Sequence, residues 1–230
     1  MRIYKNLTVI GTSHISADSV KEVEGVILNL RPKIVALELD KDRLQSLLHK
    51  KEGVRLRDIK ELGVIGFLFN IVGAWVERKL GEKVGTVPGD EMRKAIRCSH
   101  NVGAKVVLID QNIKITIKRL SKNVRFIEKV RLVFDILKGI VIKDKELKNL
   151  DLRKVPSEKI IKKLMKKMKR YYPNFYKVLV IERNIIMAEK LSKIMEVWPE
   201  EKIVAVVGAG HESDILKLIK DVKTKIKSKV

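Results

Sequence analysis

The sequence predicts an α/β fold: a mixed, mainly parallel central sheet flanked by helices, with a largely helical middle insertion. Three observations predict it. Four short apolar runs alternate with stretches of helical period, the pattern of strands joined by crossover helices. The first of those helical stretches lies between two strand-like runs, as a right-handed β-α-β unit requires. Two of the runs end alike, in Gly11-Thr12-Ser13-His14 and Gly208-Ala209-Gly210-His211. Polar side chains therefore follow the C-terminal ends of strands, where open α/β sheets bind ligands.

Taken in order, Leu7–Gly11 is the first strand. Ser16 or Asp18 caps a helix carrying Val20, Val23, Ile27 and Leu30, and Arg31-Pro32 ends it. Residues 33–39 form the second strand, expected as the parallel neighbour of the first. Alternation puts Ile34, Ala36 and Glu38 on one face and Val35, Leu37 and Leu39 on the other. Asp40 caps a helix through Arg43, Leu44, Leu47 and Leu48. A strongly apolar helical insertion spans about 55–82. Asp90 is expected to cap a helix through Met92, Ala95 and Ile96, which Gly103 terminates before the strand at 104–109. A second helical insertion occupies 113–170. Within it, Lys159–Arg170 carries seven basic residues with Ile160, Leu164 and Met168 at four-residue spacing, an amphipathic helix with a cationic face. Pro173-Asn174 opens a long helix to about Met195, Trp198-Pro199 breaks it, and residues 202–207 are the last strand. The 230 residues suit one domain.

Fifty Lys and Arg face 28 acids, a net charge of +22. That surplus suits anionic partners, and it equally suits the charged surface of a heat-adapted protein. A single cysteine, Cys98, excludes an intrachain disulfide and a cysteine-based zinc site. The opening Met-Arg-Ile-Tyr-Lys shows no leader pattern, so the expected location is cytoplasmic or the inner face of a membrane. The longest apolar stretch, residues 62–76, falls short of the roughly 20 residues needed to span a bilayer. It is expected to form a homodimer face, a buried helix or an interfacial segment.

The candidate site begins with His14 and His211. A neutral imidazole binds zinc, manganese or cobalt through one nitrogen while an acceptor holds the other; alternatively both are turn residues capping helices. Glu38, at a strand end, would face the same cleft as a metal ligand or general base, or pair with Arg43 one turn away. Glu182-Arg183 interrupts a helix that is apolar nearly all round. Arg183 would clamp a carboxylate or an oxyanion, or form a buried pair with Glu38 or Asp110. Glu91 sits in a first helical turn, where the helix dipole accounts for it.

These residues, in this order, resemble the TraB/PrgY family, related to the GumN and Tiki proteins. The carrying motifs are Gly11-Thr12-Ser13-His14-Ile15-Ser16, Leu37-Glu38-Leu39-Asp40 with Arg43, and Pro88-Gly89-Asp90-Glu91-Met92 with Ala95. They continue with Val107-Leu108-Ile109-Asp110 with Thr116 and Arg119, then Glu182-Arg183-Asn184, then Gly208-Ala209-Gly210-His211. The resemblance implies a divalent-metal-dependent peptidase of the Tiki type. It makes His14, Glu38 and His211 the metal or catalytic set and Arg43, Glu91 and Arg183 supporting residues. TraB-type proteins are linked to inactivating a peptide pheromone, which implies a peptide substrate. Two departures stand out: Gln111 follows Asp110 where the family usually has arginine, and Asp214 stands where a glycine is common. Family members often continue into C-terminal membrane helices, whereas this sequence ends lysine-rich at Val230.

The competing reading is a non-catalytic binding or regulatory module on an anionic membrane surface, suggested by the charge and by residues 159–170 and 62–76. Nucleic-acid binding is the weaker option, because Tyr171, Tyr172, Phe175 and Tyr176 form no RNA-binding motif.

Overall fold

The computed structural model describes residues 1–13, 16–48, 89–137 and 157–227. Their elements are β1 (Arg2–Tyr4), β2 (Leu7–Thr12), α1 (Ala17–Leu30), β3 (Ile34–Leu37), α2 (Lys41–Leu48), α3 (Asp90–Asn101) and β4 (Lys105–Leu108). There follow α4 (Ile113–Asn123), α5 (Phe126–Leu137), α6 (Glu158–Tyr171), α7 (Pro173–Tyr176), a π-helical turn (Lys177–Ile181), α8 (Glu182–Val197), β5 (Ile203–Gly208) and α9 (Glu212–Lys227). The insertion expected at 55–82 and the apolar segment 62–76 lie outside the described residues, as does His14.

The sheet runs β1-β2-β5-β3-β4. β2, β5, β3 and β4 are parallel, and β1 pairs antiparallel along the edge of β2. The expected α/β class and the alternation in β3 hold. The neighbour relation does not: β5 lies between β2 and β3. Every residue of β5 is buried. A strand covered on both faces belongs at the centre of a parallel sheet, and β2, flanked by β1, is displaced outward. The short β1 was not expected; its Arg2-Ile3-Tyr4 offers too little pattern to separate from a loop.

Two apolar layers clamp the sheet. On one face, Met187, Ala188, Leu191 and Met195 of α8 and Ile215, Leu216 and Ile219 of α9 pack on Leu7, Val9, Ile34, Ala36 and Ala205. On the other, Val23 and Ile27 of α1 and Met92, Ala95 and Cys98 of α3 pack on Ile10, Val35, Leu37 and Val206. Burial pushes the Cys98 thiol above its usual pKa, keeping it protonated inside this layer. A smaller cluster of Leu120, Val124, Phe175 and Val178 seats α4 against α7 and the π turn.

Local signals set most helix ends. Ser16 caps α1 by accepting from the Ser19 N–H at 3.3 Å, and Arg31 closes it in the left-handed conformation. Asp40 caps α2, taking the Asp42 N–H at 2.9 Å. Asp90 does not cap α3. Gly89 holds the capping position, and the Asp90 carboxylate pairs with Arg93 at 3.1 Å inside the first turn. The expected long helix from Pro173 is interrupted by the π turn, which shifts the helix face just before Glu182-Arg183-Asn184. Such turns recur at functional sites. Among the described residues no helix is long and apolar enough to cross a membrane.

Leu191 is fully buried between α8 and the sheet. Leu191→Ala is expected to cost about 2–5 kcal/mol in denaturant unfolding, from lost transfer energy plus the cavity. A loss below about 1 kcal/mol would contradict this packing.

Candidate functional site

The parallel strands end together, and their ends build the site. In register, Thr12 of β2 lies opposite Gly208 of β5, and Leu37 of β3 opposite Val206. Both Gly-x-x-His motifs are therefore launched from adjacent strands. The Ala209 N–H donates to the Thr12 carbonyl at 2.9 Å, joining the two loops beyond the sheet. A side chain at Gly11 would place Cβ 2.7 Å from the Glu212 carboxylate and 3.1 Å from Ala209 Cα. The glycine thus serves the close approach of one motif to the other. At Gly210 a Cβ would meet the Met165 methyl of α6 at 2.8 Å, so α6 rests on the loop carrying His211.

Glu38 directly follows β3 and is 4% exposed. The Gly208 N–H donates to its Oε2 at 2.6 Å, and Arg183 Nη2 donates to its Oε1. Asp110 follows β4 with its side chain fully buried. Its Oδ1 accepts from the Gln111 N–H at 2.7 Å and Arg183 Nε at 3.0 Å. Its Oδ2 accepts from Arg183 Nη2 at 2.6 Å and from Arg43. Arg183 Nη1 donates to the Leu179 carbonyl at 3.1 Å, within the π turn. One guanidinium thereby bridges two buried carboxylates from neighbouring strands. Removing either partner would leave a charge in low dielectric.

Arg43 does not pair with Glu38. Its Nε donates to Asp40 at 2.7 Å, and its Nη2 reaches Asp110. Asp40 spans the start of α2 with its cap, which turns Arg43 toward β4. Lys190 of α8 donates to the Asp110 carbonyl at 2.8 Å. Burial pushes its ammonium below the usual lysine value, against the opposing pull of Asp40. Glu182, beside Arg183, takes two hydrogen bonds from Arg119 of α4, at 2.5 and 2.8 Å. That pair raises the Arg119 pKa further.

His211 stands at the head of α9, its N–H donating to the Gly208 carbonyl at 2.8 Å. Its Nδ1 lies 2.5 Å from Asn184 Oδ1, an acceptor that assigns the proton to Nδ1. Its Nε2 lies 3.5 Å from Glu38 Oε1 and 3.5 Å from Arg183 Nη1. An imidazole held through one nitrogen, with the other beside a carboxylate oxygen, is a donor pair suited to one divalent cation. Among the described residues, no three His, Cys, Asp or Glu side chains are gathered as a metal site. The third member expected, His14, lies outside them.

The structure brings together Glu38, Arg183 and His211, with Arg43 held to them through Asp110. Glu91 is buried in the first turn of α3. His100 is exposed in the last turn of that helix, as its position implies. The alternative of a buried pair between Arg183 and Glu38 or Asp110 holds for both carboxylates, and Asp40 caps its helix as expected; Lys190 was not singled out from sequence. The signal for Asp110 was present, since Leu108-Ile109-Asp110 repeats the strand-then-carboxylate pattern of Leu37-Glu38. Asn184 entered only as part of the Glu182-Arg183-Asn184 motif, and its contact with His211 depends on a π turn that the residue pattern does not announce.

The Asn184 contact has a direct readout. In wild type, neutral His211 is expected to be the Nδ1–H tautomer by 15N NMR, and Asn184→Leu is expected to return it toward the mixture of a free imidazole. An unchanged spectrum would show that Asn184 does not set the tautomer.

A family model described as TraB/PrgY/gumN family matches residues 4–225. An uncharacterized protein of Methanocaldococcus jannaschii, MJ1365, is 36% identical over 220 residues, covering 94% of this chain and 53% of its own. The TraB domain-containing proteins of Homo sapiens and Mus musculus are each 26% identical over 235 residues, covering 91% of this chain and 61% of their own. The chain thus spans somewhat over half the length of these relatives. With the family model matched from β1 into α9, the chain belongs to the TraB/PrgY/gumN family.

Proposed function

We propose that this protein is a divalent-metal-dependent hydrolase of peptide bonds. The observation that carries the reading is the meeting of His211 Nε2 and Glu38 Oε1, 3.5 Å apart at the C-terminal edge of the sheet. His211 and Glu38, with His14, would hold a manganese, cobalt or zinc ion. Bound there, the ion would lower the pKa of a water to make a nucleophile near neutral pH.

The chain's own residues have separable tasks in this reading. Asn184 holds His211 Nδ1–H, leaving the Nε2 lone pair to the cleft. The Gly208 N–H fixes one oxygen of Glu38, so its other oxygen is the one that ligates or takes a proton. Arg183, already beside that oxygen, supplies the positive charge that steadies an oxyanion or a peptide carboxylate. Arg43 and Asp110 position Arg183, and Glu91 supports the cleft from α3. The family relationship favours the same set of residues.

The test is metal content and peptide cleavage of the purified chain with manganese, cobalt or zinc. His14→Ala, His211→Ala and Glu38→Gln are compared with it, each checked by thermal unfolding. The expected result is bound metal in wild type and cleavage lower by about a hundredfold or more in each folded variant. Equal cleavage across all four proteins, or no uptake of any of the three ions, would overturn the reading.

A further inference from the structure

His211 Nε2 and Glu38 Oε1, the donor pair of the proposed metal site, both meet one cation of the chain itself. Arg183 Nη2 donates to Glu38 Oε1. Arg183 Nη1 lies 3.5 Å from His211 Nε2, and that nitrogen lies 3.5 Å from the same carboxylate oxygen. An imidazole nitrogen, a carboxylate oxygen and a guanidinium thus converge at the strand ends. With the proton on Nδ1, held by Asn184, the Nε2 lone pair is turned to this meeting point.

The other contacts of Arg183 do not depend on Glu38. Its Nε donates to Asp110 Oδ1 at 3.0 Å, its Nη2 to Asp110 Oδ2 at 2.6 Å and its Nη1 to the Leu179 carbonyl at 3.1 Å. Nη2 carries two hydrogens, so one serves Asp110 and the other Glu38. Losing the Glu38 bond alone leaves the arginine anchored at Asp110 and at the π turn. Glu38 is also supported independently, because its Oε2 accepts from the Gly208 N–H at 2.6 Å. Of the contacts around this carboxylate, the one with Arg183 is the one that opens without dismantling either residue's other support.

We infer that Arg183 is a built-in competitor of the divalent cation at Glu38 Oε1, and that the N–H it withdraws from Glu38 on metal binding becomes its donor to a substrate oxyanion. The inference rests on the metal-dependent reading above. Two cations on one carboxylate oxygen repel each other, and more strongly away from water. Glu38 is 4% exposed, so solvent screens that repulsion little, and the oxygen favours one cation at a time. Arg183 then has a hydrogen to offer substrate only once it has left Glu38, which couples metal uptake to oxyanion binding. A purely positioning role predicts the opposite sign. Removing a residue that only steadies a metal ligand weakens metal binding by roughly 10–100-fold, whereas removing a competitor strengthens it.

The experiment measures the zinc dissociation constant of the 230-residue chain by competition with a chromophoric chelator. Wild type is compared with Arg183→Met, with Arg183→Met/His211→Ala and with Lys190→Met. Lys190 donates to the Asp110 carbonyl, so its loss removes a positive charge from the same region without touching Glu38 Oε1. Arg183→Met is expected to bind zinc at least about tenfold more tightly than wild type. Lys190→Met should stay much nearer to wild type, and loss of His211 should abolish the gain. Should Arg183→Met fail to fold, zinc titration of wild type followed by 15N NMR of the arginine side chains gives the same answer: the Arg183 Nη2 signal moves while Nε, bonded to Asp110, stays. Equal or weaker zinc binding by Arg183→Met, an equal gain in Lys190→Met, a gain that survives loss of His211, or an unmoved Nη2 signal at zinc saturation would each overturn the inference. No zinc uptake by wild type or Arg183→Met would also overturn it, and uptake and cleavage with manganese and cobalt then decide separately whether the metal-dependent reading stands.

Discussion

Arg183 holds two carboxylates out of water at once. Asp110 is fully buried and Glu38 nearly so, and each belongs to a different strand end. A buried carboxylate without a cation is expensive enough that it would protonate or draw in water. With Arg183 between them, both have a cation as partner. The geometry also works in reverse. Four of the guanidinium's five N–H groups are engaged, by Glu38, Asp110 and the Leu179 carbonyl, so the side chain has little freedom to swing. Arg43 completes the arrangement by joining Asp110 to the cap of α2.

This constraint links the fold to the site. Glu38 and Asp110 lie where they do because β3 and β4 are in register, Leu37 beside Leu108. Gly208 reaches Glu38 because β5 sits centrally, between β2 and β3. Arg183 reaches both because the π turn rotates the start of α8 relative to α7. The same turn places Asn184 beside His211 while Glu182 faces Arg119. Three consecutive residues on one helix therefore serve the buried pair, the histidine and the outer ion pair. A regular α-helix from Pro173 would carry the whole trio around by part of a turn.

Much of this was legible from residue pattern. Apolar runs of four to six residues in β2, β3, β4 and β5 announced the parallel sheet, and the two Gly-x-x-His endings announced its working edge. Glu38 and Arg183 were legible because charge within apolar sequence demands a partner. Strand order was not legible: β5 follows β4 by nearly a hundred residues in the chain, and its central place depends on burial of both its faces. The alternative pairing of Glu38 with Arg43 does not form, because proximity along the chain says nothing about which strand end a long side chain crosses to.

The measurement that tests the account most directly is a double-mutant cycle on stability between Arg183 and Asp110. Arg183→Met, Asp110→Asn and the double variant are unfolded in denaturant beside wild type. A guanidinium shared by two buried carboxylates predicts strongly non-additive losses, with a coupling energy of about 1.5–3 kcal/mol. Losses that add to within about 0.5 kcal/mol would show that the two side chains act independently. That result would contradict an edge of the sheet organised around their contact.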